Sequence, residues 1–202
     1  MTKGQLPISE CIRCGTCCKK GGPSFHHKDR MLIEKGVILS EYLYTIRKGE
    51  MVYDNIRECI LPTDSDIIKI KSRKSSRACL FFDETESRCE IYGNRPTECR
   101  VLKCWDTREI ERIYAENRLI RKDLMGNISG LWELIEAHQF RCDYEQIRRL
   151  VKDSETGQKN EALKECFRYD VHIRELVVEK SGIDPEMTDF LFGRPLTETV
   201  SF

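Results

Sequence analysis

Cys11-Ile12-Arg13-Cys14-Gly15-Thr16-Cys17-Cys18 places four of the chain's eleven cysteines in one short run. Thiolates this close repel one another, so unless they are oxidised in pairs they need a cation or an iron-sulfur cluster to absorb the charge. The run therefore predicts a metal site. Cys11, Cys14 and Cys17 follow a two-residue spacing, which lets one turn of backbone direct successive thiolates at a common face, as in bacterial ferredoxin runs. The ferredoxin pattern then stops. Its fourth Cys, followed by Pro, is missing, and Cys18 sits next to Cys17, so the two side chains leave the backbone in different directions. Either one of them packs while the other binds, or the pair divides between two neighbouring metals.

The remaining ligands are expected from Cys79, Cys89, Cys99 and Cys104, which brings the set to two groups of four. Structural zinc and [4Fe-4S] clusters both take four thiolates. A cubane presents several iron corners to successive cysteines of one loop, whereas zinc more usually takes two cysteines from each of two knuckles, so the run favours iron as [4Fe-4S]. The wide spacing of the second group keeps zinc as the alternative. Gly15 leaves the loop room to bend, and Arg13, Lys19, Lys20, Arg88, Arg95, Arg100 and Lys103 surround the cysteines with positive charge. Cys142 and Cys166 fall at apolar positions of helical periodicity and read as core residues.

The chain has 202 residues, 40% hydrophobic and 34% charged, with a formal net charge of zero. These values fit a soluble globular protein and give no electrostatic reason to expect nucleic acid or an anionic membrane as partner. Met1 to Ile8 lacks the apolar core of a secretion signal and no later run is long enough to span a bilayer, so a cytoplasmic location is expected. In a reducing compartment, clustered cysteines serve metal more often than disulfides.

Asp29 is placed to cap a helix over 30–35 and Gly36 to stop it, and a second short helix is expected over 40–47. Residues 51–66 read as irregular. Strands are expected over 66–72, 78–82 and 88–92 as a three-part sheet, with a polar hairpin connection at 83–87 that places Cys79 and Cys89 on paired strands. Asn94-Arg95-Pro96 opens a helix that contains Cys99. Beyond Trp105 helical spacing takes over: Ile110, Ile113 and Tyr114; Leu131 to Cys142, continuing towards Val151; and Ala162 to Leu176. The fold class is thus α+β, predominantly α, with a small metal-stapled sheet region (1–105) packed with a C-terminal helical bundle (106–202) as one unit. His26-His27 reads as a solvated pair, and His138 and His172 as structural or surface residues.

The run at 11–18, Cys79-Leu80-Phe81-Phe82, and Cys89-Glu90-Ile91-Tyr92-Gly93-Asn94-Arg95-Pro96-Thr97-Glu98-Cys99-Arg100 together resemble the YkgJ-type cysteine-cluster family, described as a zinc- or iron-chelating domain with a Cys-x-x-Cys-x-x-Cys-Cys signature. The resemblance covers 11–104 and implies metal or iron-sulfur binding by Cys11, Cys14, Cys17, Cys18, Cys79, Cys89 and Cys99; Cys104 is added on spacing. The reading is an iron-sulfur protein that passes electrons or assists another enzyme, with a structural zinc module whose helical region binds a protein partner as the alternative. The flagellin lysine methylases are similar over the cysteine motif, but nothing in 106–202 resembles a nucleotide or methyl-donor site, and no nucleophile elbow or phosphate loop is present.

Overall fold

Apolar and β-branched residues dominate Leu43-Tyr44-Thr45-Ile46 and Ile67-Ile68-Lys69-Ile70 and build the first sheet, whose pleat sends Leu43 and Thr45, and Ile68 and Ile70, to one face. The computed structural model describes residues 11–155 and 161–200. The leader reading, which rests on Met1 to Ile8, lies outside them. In chain order, helix α1 (Arg30–Glu34) precedes strand β1 (Leu43–Ile46), then come β2 (Met51–Asp54), β3 (Cys59–Pro62) and β4 (Ile67–Ile70). β1 pairs antiparallel with β4, with Leu43 opposite Ile70 and Thr45 opposite Ile68, and these four residues are buried. The helix expected over 40–47 is therefore a single 3-10 turn (Ser40–Tyr42) followed by a strand. Its branched residues pack against the branched residues of β4, and that pairing outweighs a weak helical signal.

The stretch 51–66, read as irregular, is a hairpin: β2 pairs with β3, and its turn is tied by Asp54 Oδ1, which accepts from the Ile56 and Arg57 N–H at 2.8 and 2.9 Å. The strands expected over 78–82 and 88–92 shrink to β5 (Phe82–Asp83) and β6 (Arg88–Cys89). Among the described residues, three separate two-stranded sheets replace the three-part sheet. Of Cys79 and Cys89, Cys89 alone lies on a paired strand, opposite Phe82, while Cys79 makes an isolated bridge to Ser72.

The helical elements follow as α2 (Thr97–Val101), α3 (Arg108–Ile113), α4 (Arg121–Met125), α5 (Leu131–Arg141), α6 (Tyr144–Glu155), α7 (Glu161–Ser181), α8 (Thr188–Phe192) and α9 (Leu196–Thr199). The fold is α+β and mostly helical. The segment expected to run from Leu131 towards Val151 breaks after Cys142, where Asp143 Oδ1 accepts from the Gln146 N–H at 2.9 Å and starts α6 afresh. One core joins both halves: Phe25, Ile38, Leu43, Ile68, Ile70 and Phe82 pack in one cluster with Leu119, Ile135, Ile173, Phe190 and Phe192. Burying each large side chain of this kind contributes about 1.5–3 kcal/mol. Arg121, 2% exposed, crosses this core with its donors satisfied by both Asp66 oxygens, the Leu191 carbonyl and Gln139. A second, smaller core holds Cys142, Tyr144, Ile147, Leu163 and Leu196. No helix among the described residues is long and apolar enough to cross a membrane.

Candidate metal centre

The run at 11–18 folds as a loop because two of its residues, Arg13 (φ 56°) and Gly15 (φ 73°), take the left-handed conformation. Gly15 is also pressed on a ring: a Cβ there would meet Phe82 Cζ at 2.2 Å, so no other residue lets the loop lie flat on β5. After Gly15 the backbone turns once, with the Lys19 N–H donating to the Gly15 carbonyl at 2.9 Å. The Cys79 N–H donates to the Cys18 carbonyl at 2.8 Å, and the Phe82 N–H to the Cys79 carbonyl at 2.9 Å. Phe82 stands opposite Cys89. A chain of backbone contacts thus leads from the loop through Cys79 to Cys89.

Cys99 enters from α2, which is anchored from a distance. Asp29, fully buried, was expected to cap α1; its side chain instead serves α2. Its Oδ1 accepts from the Thr97 N–H (2.9 Å) and hydroxyl (2.7 Å) and from Arg100 (3.3 Å), and Oδ2 accepts from the His26 N–H (3.0 Å). A carboxylate at the first N–H groups of a helix satisfies donors that have no partner within it. Next to Cys99, Glu98 accepts from the Ser24 N–H at 2.6 Å and lies 3.4 Å from His26 Nε2. Burial pushes the Glu98 carboxyl up, but His26, Lys69 and the Ser24 N–H together outweigh it and hold it below the usual range. His26 is therefore not the solvated residue its polar loop suggested: it is 4% exposed, with Nδ1 2.8 Å from the Glu116 carbonyl. His27 is exposed and faces Asp123.

The thiols report on one another. Burial is the main reason that Cys79 is raised, to about 11, and that Cys89 and Cys99 are also raised; Cys17 adds to all three, and Cys79 and Cys89 add to Cys99. Cys17 and Cys18 have their sulfurs 4.0 Å apart; hydrogen bonding to Cys18 lowers Cys17 to about 6 and raises Cys18 in turn. Cys14 is lowered by its hydrogen bond with the Thr16 hydroxyl at 3.2 Å and feels Cys17. The structure thus brings Cys17, Cys18, Cys79, Cys89 and Cys99 into one electrostatic neighbourhood with Cys14 at its edge. Cys11 and Cys104 are exposed.

Among the flanking cations, Arg88, Arg100 and Lys103 face the carboxylates of Asp83, Asp29 and Glu109. Arg95 faces the thiols: its guanidinium lies 3.5 Å over the Tyr92 ring, which Arg13 shares at 4.4 Å, and its charge lowers both Cys17 and Cys89. Lys69 escaped the sequence reading. It lies between Ile68 and Ile70 on β4 and so projects away from their face; burial lowers the pKa of its ammonium, and its charge acts first on Glu98 and then on Cys99 and Cys79. Period-two alternation in β4 was the signal that could have found it.

A donor set of soft sulfurs, crowded enough to oppose one another's ionisation, fits zinc or iron; an oxygen-seeking metal would want carboxylates. A protein-family model described as "CxxCxxCC: Putative zinc- or iron-chelating domain" matches residues 10–119. The chain belongs to the CxxCxxCC family. Metal chelation, zinc or iron, is therefore the business of its cysteine half. Searches of curated proteins and of solved structures returned no match to this CxxCxxCC protein.

Among the described residues the helical half brings together three metal-type side chains, His138, Cys142 and Asp170, all buried, with donor atoms within 4.8 Å of one another. Its surroundings are those of a structural pair. His138 Nε2 lies 2.7 Å from Asp170 Oδ1, and the same oxygen takes two donors from Arg174. Burial above all, with Arg47 and Arg174 nearby, lowers His138 to about 4, and the same guanidiniums oppose a cation. Cys142 is fully buried in the second core, as its helical periodicity suggested.

Proposed function

We propose that the centre is a [4Fe-4S] cluster held by thiolates of the set Cys11, Cys14, Cys17, Cys18, Cys79, Cys89, Cys99 and Cys104, with Cys17, Cys79, Cys89 and Cys99 as the four that face one another. The observation that supports this reading is the single-turn loop that carries Cys11, Cys14 and Cys17 at two-residue spacing, the arrangement by which successive thiolates reach separate iron corners of a cubane, beside Cys79, Cys89 and Cys99, whose ionisation Cys17 opposes. A cluster set in a loop at the surface suits one-electron exchange with, or support of, another enzyme. Protein purified without oxygen is expected to be brown, to contain iron and acid-labile sulfide in equal amounts, and to bleach on reduction. Cys17→Ser and Cys99→Ser should each lose the colour. A colourless protein with stoichiometric zinc overturns the cluster and makes the site a structural zinc module.

A further inference from the structure

Within α5, Trp132, Glu136 and Phe140 recur at four-residue intervals and so stand in one row, with Ile135 and Gln139 in the row beside it. Ile135 packs in the core, but Phe140 is 82% exposed, the most of any large apolar side chain among the described residues. Both rows line an open cleft of about 670 Å³. One side of the cleft is α5 with Asp143 beyond it; the other is Lys48, Asp64 and the start of α4 from Ile120 to Lys122. A protruding aromatic ring thus stands at the edge of a hollow whose apolar lining includes Trp132, Ile135 and Ile120.

The two sides differ in charge. Arg121 and Asp66, which also line the cleft, neutralise one another. What remains is Glu136 and Asp143 on the α5 side, and Lys48, Lys122 and Asp64 on the other; among the described residues none of these is in an ion pair. A partner of one sign, such as nucleic acid or a uniformly acidic or basic segment, would oppose either the lysines or the carboxylates. A second copy of this chain meets both, because a two-fold axis turns the acidic side of each copy towards the basic side of the other. The formal net charge of zero removes long-range repulsion between copies. We propose that the cleft is a self-association surface: two copies dock about a two-fold axis, Phe140 of each entering the cleft of the other, and Glu136 and Asp143 of each meeting Lys48 and Lys122 of the other. The proposal stands apart from the metal reading, since among the described residues no cysteine lines the cleft.

The test is sedimentation velocity of the full chain in reducing buffer, from about 1 to 100 μM, the range in which a small interface dissociates. A monomer–dimer equilibrium is expected, weakened by added salt and weakened about tenfold or more by Phe140→Ala, since a buried aromatic anchor carries much of such an interface. Phe140 is exposed in the single chain, so at a concentration where both proteins are monomeric this variant should unfold at the wild-type temperature. Glu136→Lys should associate more weakly than the wild type, and so should the double variant Lys48→Glu with Lys122→Glu. An equimolar mixture of the two should associate more tightly than either alone, because each then supplies the sign the other lacks. A chain that stays monomeric throughout the range overturns the proposal and leaves the cleft to a different protein. A dimer that tolerates Phe140→Ala, or two charge variants that gain nothing on mixing, overturns it too. Cys17→Ser, which removes a proposed metal ligand, should dimerise like the wild type; if it abolishes the dimer, the copies are joined through metal and the role given to the cleft fails, while the metal reading stands.

Discussion

Replacing Asp29 with Ala removes the acceptor of four hydrogen bonds, three of which join the segment before α1 to the start of α2. Two of the donors are backbone N–H groups, those of Thr97 and His26, and the loss of a helix cap costs about 1 kcal/mol. Leaving the second amide and the half-buried Thr97 hydroxyl without a partner adds about 1–2 kcal/mol. Arg100 is half exposed, so its pair contributes about 0.5 kcal/mol at most. The sum is about 3 kcal/mol, equivalent for a chain of this size to a fall of about 6–12 °C in Tm. Asp29→Asn, which keeps one acceptor oxygen, should lose about half as much, and Arg100→Ala should change little. Urea and thermal unfolding of the three variants give the comparison, with hydrogen exchange at Thr97 reporting on the cap directly. An Asp29→Ala protein within about 0.5 kcal/mol of the wild type would refute the idea that one buried carboxylate holds the helix carrying Cys99.

Gly15→Ala should weaken metal retention and lower stability by about 1–3 kcal/mol, because the new methyl group meets the Phe82 ring and φ is left-handed there; chelator-challenge rates and unfolding midpoints measure both. Cys142→Ala should leave metal content unchanged and cost about 1–2 kcal/mol for the small cavity it leaves, as read by metal analysis beside urea unfolding. His138, kept neutral in the fold with its titration lowered to about 4, binds its proton more readily in the unfolded chain, whose imidazole titrates near 6.5. Its contribution is therefore complete above pH 6.5 and is lost as pH falls towards 4, by about 3 kcal/mol. The difference in unfolding free energy between the wild type and His138→Gln should narrow across that window; a difference independent of pH would show that His138 is not kept neutral.

The cysteines were legible because spacing alone crowds them, and the long helices because their apolar residues repeat every three to four positions. β1 was not: its four residues carry too little pattern to separate one helical turn from a strand, and what decides is β4, more than twenty residues away. The hairpin of β2 and β3 was hidden for a related reason, since both strands are largely exposed and alternate weakly. His26 looked like a loop polar and Asp29 like the cap of α1, and only the return of α2 past them turns the pair into a buried anchor.

The packing of Phe190, Leu191 and Phe192 into the core shared with Phe25, Ile68 and Phe82 bears on how the protein is made. Thr45 donates its hydroxyl to the Phe190 carbonyl at 2.7 Å and Arg121 reaches the Leu191 carbonyl at 2.6 Å, so α8 closes a structure whose cysteine loop left the ribosome long before it. At about 5–20 residues per second, the thiols of that loop wait on the order of ten seconds or more for the last piece of their support. During that interval nascent thiols stand open to oxidants and to competing metals. Metal delivered after release meets a finished pocket, whereas metal captured during synthesis meets a flexible loop with no fixed geometry to select it.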